Sequence, residues 1–314
     1  MFSYKNYHKV KEEIEKRRRA AIALADSRAE ELRSLSPEIR EIDNELSGTG
    51  LLIFKTVCSG GDVTPIRRRN KELCDKRAAL VRSLGYDEDY AEVKYYCKEC
   101  SDTGFVDGAK ICSCFHEELV KATIASSGIG DLIEKQSFDN FDLEWYSDDE
   151  ENYKRMKGVL EKAKSFVSNF KKEKNNLLMV GTTGTGKTHL STAIAREIIN
   201  QGYDVIYDSI HNIISDFEDD KFKSGYSQEE PKSDKYIECD LLIIDDLGTE
   251  FSNQFSISCI YNLLNTRINQ GKSTIISTNL SSTELSSKYE GRIYSRIIGK
   301  SIVLPFKGKD HRLK

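Results

Sequence analysis

No apolar run in the sequence approaches the roughly 18 to 20 residues that a membrane-spanning helix needs. The opening, MFSYKNYHKVKEEIEKRRR, is charged and lacks the apolar core of a signal peptide, so a cytosolic (cytoplasmic) protein with no membrane partner is expected. A basic excess is missing too. Lys and Arg number 47 against 51 Asp and Glu, for a net charge of −4. That excludes a uniformly basic surface that holds nucleic acid by phosphate neutralisation alone, and any DNA contact must be a local patch. No internal repeat of about 20 to 50 residues is visible, which excludes a solenoid, and no segment is low enough in complexity to demand disorder. Eight cysteines in a reducing compartment are not read as a disulfide framework, because clustered thiols there more often hold metal.

At 314 residues the chain exceeds the usual single-domain size, and two domains are expected. From Tyr4 to Leu46 it is dense in Glu, Arg, Lys and Ala, with Ile39, Ile42 and Leu46 on one helical face. Ser36 and Pro37 read as the cap and first residue of a second helix, and Thr64 and Pro65 repeat that grammar for a helix that stops at Gly85. The stretch 135–152 is aromatic and acidic and ends in SDDEEN. The boundary is placed there, giving a helical domain over 1–134 and a second domain over 135–314. In the second, the short apolar runs LLMV (177–180), VIY (205–207), LLII (241–244), TIIS (274–277) and IVL (302–304) alternate with helical segments. This predicts an α/β fold, a parallel sheet with helices on both faces.

The chemistry centres on GTTGTGKT at 181–188, directly after an apolar strand and before a helix. The P-loop residues Gly181, Thr182, Thr183, Gly184, Thr185 and Gly186 let backbone N–H groups face a phosphate while the helix presents its positive end. Lys187 can reach the β- and γ-phosphates of ATP, and Thr188 can ligate Mg²⁺, with His189 next in line as a nucleotide contact. LLIIDD at 241–246 is an apolar strand ending in two carboxylates. Asp245 would hold Mg²⁺ and Asp246 would orient or deprotonate the attacking water; the plain alternative is a strand ending in a polar turn. Asn279, closing TIISTN, could bond the γ-phosphate and that water, although a lone Asn at a strand end is usually a turn residue. In GRIYSRI at 291–297, Arg292 and Arg296 share one face if the segment is helical, either as a solvated face or as guanidinium groups for a neighbouring subunit's site.

Taken in this order, the P-loop, IDDLGTE, STN and YSRI elements resemble the AAA+ ATPases of the bacterial replicative helicase-loader group, the DnaC/DnaI type, and their IstB-type transposition relatives. The resemblance covers about residues 135–314. It implies a P-loop AAA+ core with a parallel five-stranded sheet of order 5-1-4-3-2. It also implies Asn279 as sensor 1, Arg296 as arginine finger with Arg292 assisting, and Arg312 as a sensor 2 group. Phe138 and Phe141 would help enclose the adenine, with ordinary core packing as the alternative. Two departures matter. Asp246 stands where many AAA+ proteins carry Glu, which implies a slow, switch-like ATPase. The residues after Pro305 are too few for a helical lid, so nucleotide closure would rely on neighbours in an ATP-dependent oligomer.

Cys97 and Cys100 form a CxxC, and Cys112 and Cys114 a CxC, around a short loop. Two close thiolate pairs suit a structural, tetrahedral Zn²⁺. His116 could replace Cys114, and a redox CxxC is the weaker alternative. Cys58, Cys74, Cys239 and Cys259 show no metal spacing and receive no role. The basic runs Arg17–Arg19, Arg67–Arg69 and Lys171, Lys172 and Lys174 read as solvated helix faces, since acids lie close by. The resemblance implies two partners, a hexameric replicative DNA helicase gripped by the zinc-bearing helical domain and single-stranded DNA bound by the AAA+ domain. The competing expectations are a transposition helper on duplex DNA that recruits a transposase, and a non-hydrolysing scaffold.

Overall fold

A computed structural model describes residues 1–222, 230–289 and 291–310. Those residues divide into two compact units, one of Lys11–Phe115 and the other of Met1–Val10 with the chain from His116 onward. The division falls at Phe115 and not at 134, because the helix Ser113–Ser126 and the turn after it give apolar side chains to the second unit. Val120 and Ile124 pack against its core, and Ile129 and Ile133 lie inside it.

In the unit Lys11–Phe115, three helices come first: α1 (Tyr4–Leu35, mostly in this unit), α2 (Pro37–Cys58) and α3 (Thr64–Ser83). Ile14, Ala25 and Leu32 are the buried residues of α1 here, at spacings close to whole helical turns. Ser36 caps α2 by accepting the Ile39 N–H, with Pro37 in the first turn, as expected. The start of α3 differs. Val63 is the cap residue without a side-chain bond, and Asp62 accepts the Thr64 N–H at 2.9 Å, so the acid does what was expected of Thr64. Leu32, Ile39 and Val81 form a small core. Asp43 bridges Arg33 at 2.9 Å and Arg77 at 2.6 Å. A two-stranded hairpin, β1 (Phe105–Val106) with β2 (Lys110–Ile111), follows the first cysteine pair.

The second unit continues with α4 (Ser113–Ser126), α5 (Leu132–Lys135) and α6 (Glu150–Asn169). SDDEEN leads into α6, with Asp149 as its cap and Glu150 as its first residue. Asp149 accepts the Glu151 N–H at 3.0 Å, and Glu150 and Glu151 sit in the first turn, where negative charge suits the helix dipole. Then come β3 (Asn176–Val180), α7 (Lys187–Asn200), β4 (Val205–Ser209), α8 (Ile210–Phe222), α9 (Asp234–Glu238) and β5 (Leu241–Asp245). The unit ends with α10 (Gln254–Asn269), β6 (Ser273–Thr278), α11 (Ser282–Lys288), α12 (Arg292–Gly299) and β7 (Ser301–Pro305).

The five strands β3 to β7 form one parallel sheet in the order β7-β3-β6-β5-β4. Counted from the P-loop strand, that is 5-1-4-3-2. The strands are apolar on both faces. Leu177, Met179, Leu241, Ile243 and Ile275 join the core layer with α6 and α7. Their neighbours Leu178, Leu242, Ile244 and Ile276 join the layer with α8, α10 and α12. A near-continuous apolar run is what a strand buried on both faces requires. The carboxyl ends of β3, β5 and β6 thus lie side by side, which brings the polar ends of three separate motifs to one edge.

Candidate nucleotide site

The chain leaves β3 at Val180, runs through Gly181–Gly186 and enters α7 at Lys187. Gly186 caps α7 with φ of +92°. A Cβ there would lie 2.6 Å from the Tyr146 hydroxyl and 3.3 Å from the Phe141 ring, so both backbone conformation and space require glycine. Tyr146 donates to the Thr185 carbonyl at 2.9 Å, and the Thr185 hydroxyl donates to Thr182 O at 2.7 Å, which fixes the loop's shape. Burial pushes the Tyr146 phenol up to about 12, so it remains a donor.

Lys187 is buried, and its Nζ donates to the carbonyls of Gly181 (2.6 Å) and Thr182 (2.8 Å) and to Asn279 Oδ1 (2.8 Å). Asn279 in turn donates from Nδ2 to Asp246 Oδ1 at 3.4 Å. Asp245 ends β5. Its Oδ1 accepts the Ser277 hydroxyl and its Oδ2 the Tyr207 hydroxyl. Asp246 has a φ of +54°, and its N–H reaches Ser277 Oγ at 3.0 Å. That left-handed residue turns the chain so that two successive carboxylates take different roles at the strand end.

A cavity of about 440 Å³ joins these groups, lined by Thr183, Gly184, Gly186, Lys187, Thr188, Asp245, Asp246 and Asn279 on one side. Gln136, Asn140, Phe141, Asp142, Trp145, Tyr146 and His189 line the other. One wall is therefore a cradle of backbone and charge and the other is partly aromatic, as a nucleoside triphosphate demands. A Cβ on Gly184 would collide with Asp310, so the segment after β7 passes beside the phosphate loop.

The residues 131–314 match the family described as IstB-like ATP binding protein. The chain belongs to that family. It is 27% identical over 194 residues to the replicative helicase loader DnaC of Escherichia coli (strain K12), covering 62% of this chain and 76% of that protein. It is 28% identical over 204 residues to the phage-like element PBSX protein XkdC of Bacillus subtilis (strain 168), covering 60% and 73%. Among solved structures, the crystal structure of the DnaC helicase loader aligns with a TM-score of 0.49 at 24% identity, over 57% of this chain and 100% of that one.

In this ATP-binding family member, the remaining predicted residues fall in four groups. His189 leaves the phosphate cradle, since its Nε2 lies 3.0 Å from Ser137 O and 2.9 Å from Asn140 Oδ1, with Phe141 edge-on. Phe141 lines the cavity, stacked with Tyr146, whereas Phe138 packs on the core under Lys164. Arg292 and Arg296 share α12 but do not line the cavity. The Arg296 guanidinium lies over the Tyr261 ring at 4.5 Å and bonds Asn265 Oδ1 at 2.8 and 3.0 Å, while Arg292 lines a separate recess with Tyr261 and Lys288. Arg312 lies outside the described residues.

The Sγ atoms of Cys97, Cys100, Cys112 and Cys114 lie within 4.8 Å of one another, Cys97–Cys112 at 3.8 Å and Cys100–Cys114 at 3.6 Å. Zn–S bonds of about 2.3 Å in a tetrahedron require S···S separations of about 3.8 Å, so the thiol set fits zinc. Asp102, fully buried, accepts the N–H groups of Tyr96 (2.9 Å) and Cys97 (3.0 Å) and pairs with Arg17 at 3.2 Å, which pins the first knuckle. His116 is not in this cluster. Its Nε2 lies 3.1 Å from Asn200 O.

Sequence reasoning missed Tyr207, Ser277 and Tyr146. Ser277 stands two residues before Asn279 in a motif already singled out, so β alternation could have placed it on Asn279's side of the strand. Tyr207 and Tyr146 carry no local signal, because only the strand order and the segment before α6 bring them to the loop.

Proposed function

We propose that this chain is a loader that uses ATP to place the replicative DNA helicase on single-stranded DNA, in replication initiation or restart. Its relatives at the 27% level are named as replicative helicase loaders, and a helical, four-cysteine unit stands before its IstB-like ATP-binding region. The helical unit, with the segment up to residue 134, is the adaptor that grips the helicase, and 135–314 is the ATPase domain. The single observation that carries the ATPase reading is the continuous link Lys187–Asn279–Asp246 in a cavity that also holds Asp245.

In this reading the P-loop N–H groups and the α7 N-terminus bind the phosphates, and Lys187 exchanges its carbonyl partners for phosphate oxygens. Thr188 and Asp245 hold Mg²⁺, which supplies positive charge against the phosphate oxygens. Asp246, steadied by Asn279, orients or deprotonates the attacking water. Its carboxylate is about one methylene shorter than a glutamate would be, which makes turnover slow and switch-like. Arg296, assisted by Arg292, acts on a neighbouring copy's nucleotide within an ATP-dependent oligomer. Zinc on the four cysteines gives the adaptor much of its folding free energy.

Lys187→Ala and Asp246→Asn should abolish ATP turnover stimulated by single-stranded DNA. Intact turnover in either variant would sink the site assignment. One second reading, a transposition helper, is kept because the matched family is the IstB-like one. That reading predicts tight binding to duplex DNA and to a transposase, with no helicase complex.

A further inference from the structure

Asp245 is gripped on both carboxylate oxygens, by Ser277 on Oδ1 and by Tyr207 on Oδ2. Oδ1 also accepts the Asp246 N–H at 3.2 Å, so with two lone-pair directions per oxygen these donors fix the rotamer and the direction left for a further ligand is on Oδ2, beside the Tyr207 hydroxyl. Tyr207 reaches Asp245 because β4 runs parallel to β5 with Tyr207 paired to Ile243 and Ser209 to Asp245. Residues two apart share a sheet face, so Tyr207 and Asp245 point to the same side, where Thr188 stands beside the Tyr207 hydroxyl. The phenol therefore touches both residues read as metal ligands.

The main chain of Tyr207 is held as firmly. β4 is an edge strand of the sheet, and the Tyr207 N–H donates to Ser127 O at 2.7 Å. The next residue, Gly128, has φ of +81°, and a Cβ on it would lie 2.4 Å from the Tyr207 carbonyl oxygen. A turn ahead of the ATPase core thus clamps the strand at the one residue that reaches the Asp245 carboxylate from β4.

We propose that Tyr207, clamped by Ser127 and Gly128, is a positioning residue of the magnesium site, which holds the Asp245 carboxylate in its metal-binding rotamer. This rests on the reading of Asp245 and Thr188 as the metal ligands. Partners of this kind, bonded to a ligating carboxylate, are commonly worth roughly 10- to 100-fold in metal affinity.

The test is Mg²⁺ titration of the binding of a fluorescent ATP analogue to the full chain, with a parallel measurement in EDTA. Tyr207→Phe should raise the half-saturating Mg²⁺ concentration by roughly 10- to 100-fold. Affinity in EDTA should stay within about twofold, since the phosphate cradle is untouched, and this separates a metal-site role from a general structural one. Gly128→Ala keeps the hydroxyl but displaces the Tyr207 main chain, and should shift the Mg²⁺ titration in the same direction. A Tyr207→Phe titration that overlays the wild type, or that is tighter, overturns the proposal. An unchanged Gly128→Ala titration overturns the clamp. A wild-type chain whose nucleotide binding ignores Mg²⁺ would remove the ligand roles of Asp245 and Thr188, and the role of Tyr207 with them.

Discussion

Replacing Asn279 by Ala removes the side chain that joins the lysine of the P-loop to the second carboxylate of the β5 end. Two bonds are lost, one from Lys187 at 2.8 Å and one to Asp246 at 3.4 Å. The first is charge-assisted and is worth roughly 1.5–3 kcal/mol; the second is long and adds little. Asn279 is exposed and Lys187 keeps the Gly181 and Thr182 carbonyls, so little burial is lost and the cost to stability should not exceed that of the one charge-assisted bond, roughly 1.5–3 kcal/mol. If Asn279 keeps Lys187 and Asp246 in register during hydrolysis, kcat should fall by roughly 10- to 150-fold, at about 1.4 kcal/mol per factor of ten. Nucleotide affinity should change far less, because Lys187 retains the phosphates as partners. Asn279→Asp is the sharper comparison. It keeps an acceptor for Lys187 but sets a second negative charge against Asp246, and should be at least as slow. Steady-state phosphate release, with the affinity of a fluorescent ATP analogue measured alongside, separates the two effects. An Asn279→Ala chain that turns over within twofold of wild type would refute this reasoning.

Three further predictions follow from the same geometry. Gly186→Ala combines a left-handed φ, at roughly 1–2 kcal/mol, with loss of the Tyr146–Thr185 bond, at roughly 1 kcal/mol, so thermal melting should register a destabilisation of roughly 2–3 kcal/mol. Burial, and then the nearby Asp240 carboxylate, push Asp204 up from 3.8 to about 6. A raised folded-state value means that its contribution is fully present below pH 3.8 and is lost as pH rises through about 6, so Asp204→Asn should stabilise the protein by roughly 3 kcal/mol at pH 8 and hardly at pH 4. Stripping zinc, or Cys100→Ser, should take metal content from one ion per chain to near zero and remove amide protection over residues 97–115, read by metal analysis and hydrogen exchange.

What could be read from the sequence was chemistry written in adjacent residues. GTTGTGKT carries its own strand, loop and helix start, and the CxxC and CxC pairs lie close enough in the chain for their loop to close them into a tetrahedron. Strand positions were legible because a sheet covered on both faces needs uninterrupted apolar runs. Features that depend on crossovers were not. Tyr207 meets Asp245 only because β4 lies beside β5, and at the start of α3 it is Asp62, two residues ahead of Thr64, that accepts the Thr64 N–H. The first compact unit ends at Phe115, ahead of the expected boundary, for a related reason. An acidic run reads equally as a linker or as a helix start, and only the burial of Ile129 and Ile133 shows that the segment before it already belongs to the core.

The proposed ATP-dependent loading of a hexameric helicase is read by light scattering behind a sizing column. The protein is mixed with the replicative helicase of its host, with and without ATP, before and after zinc removal. A stable complex that is lost when zinc is stripped from the four cysteines is the expected result. No complex in any nucleotide state, with zinc in place, would contradict it.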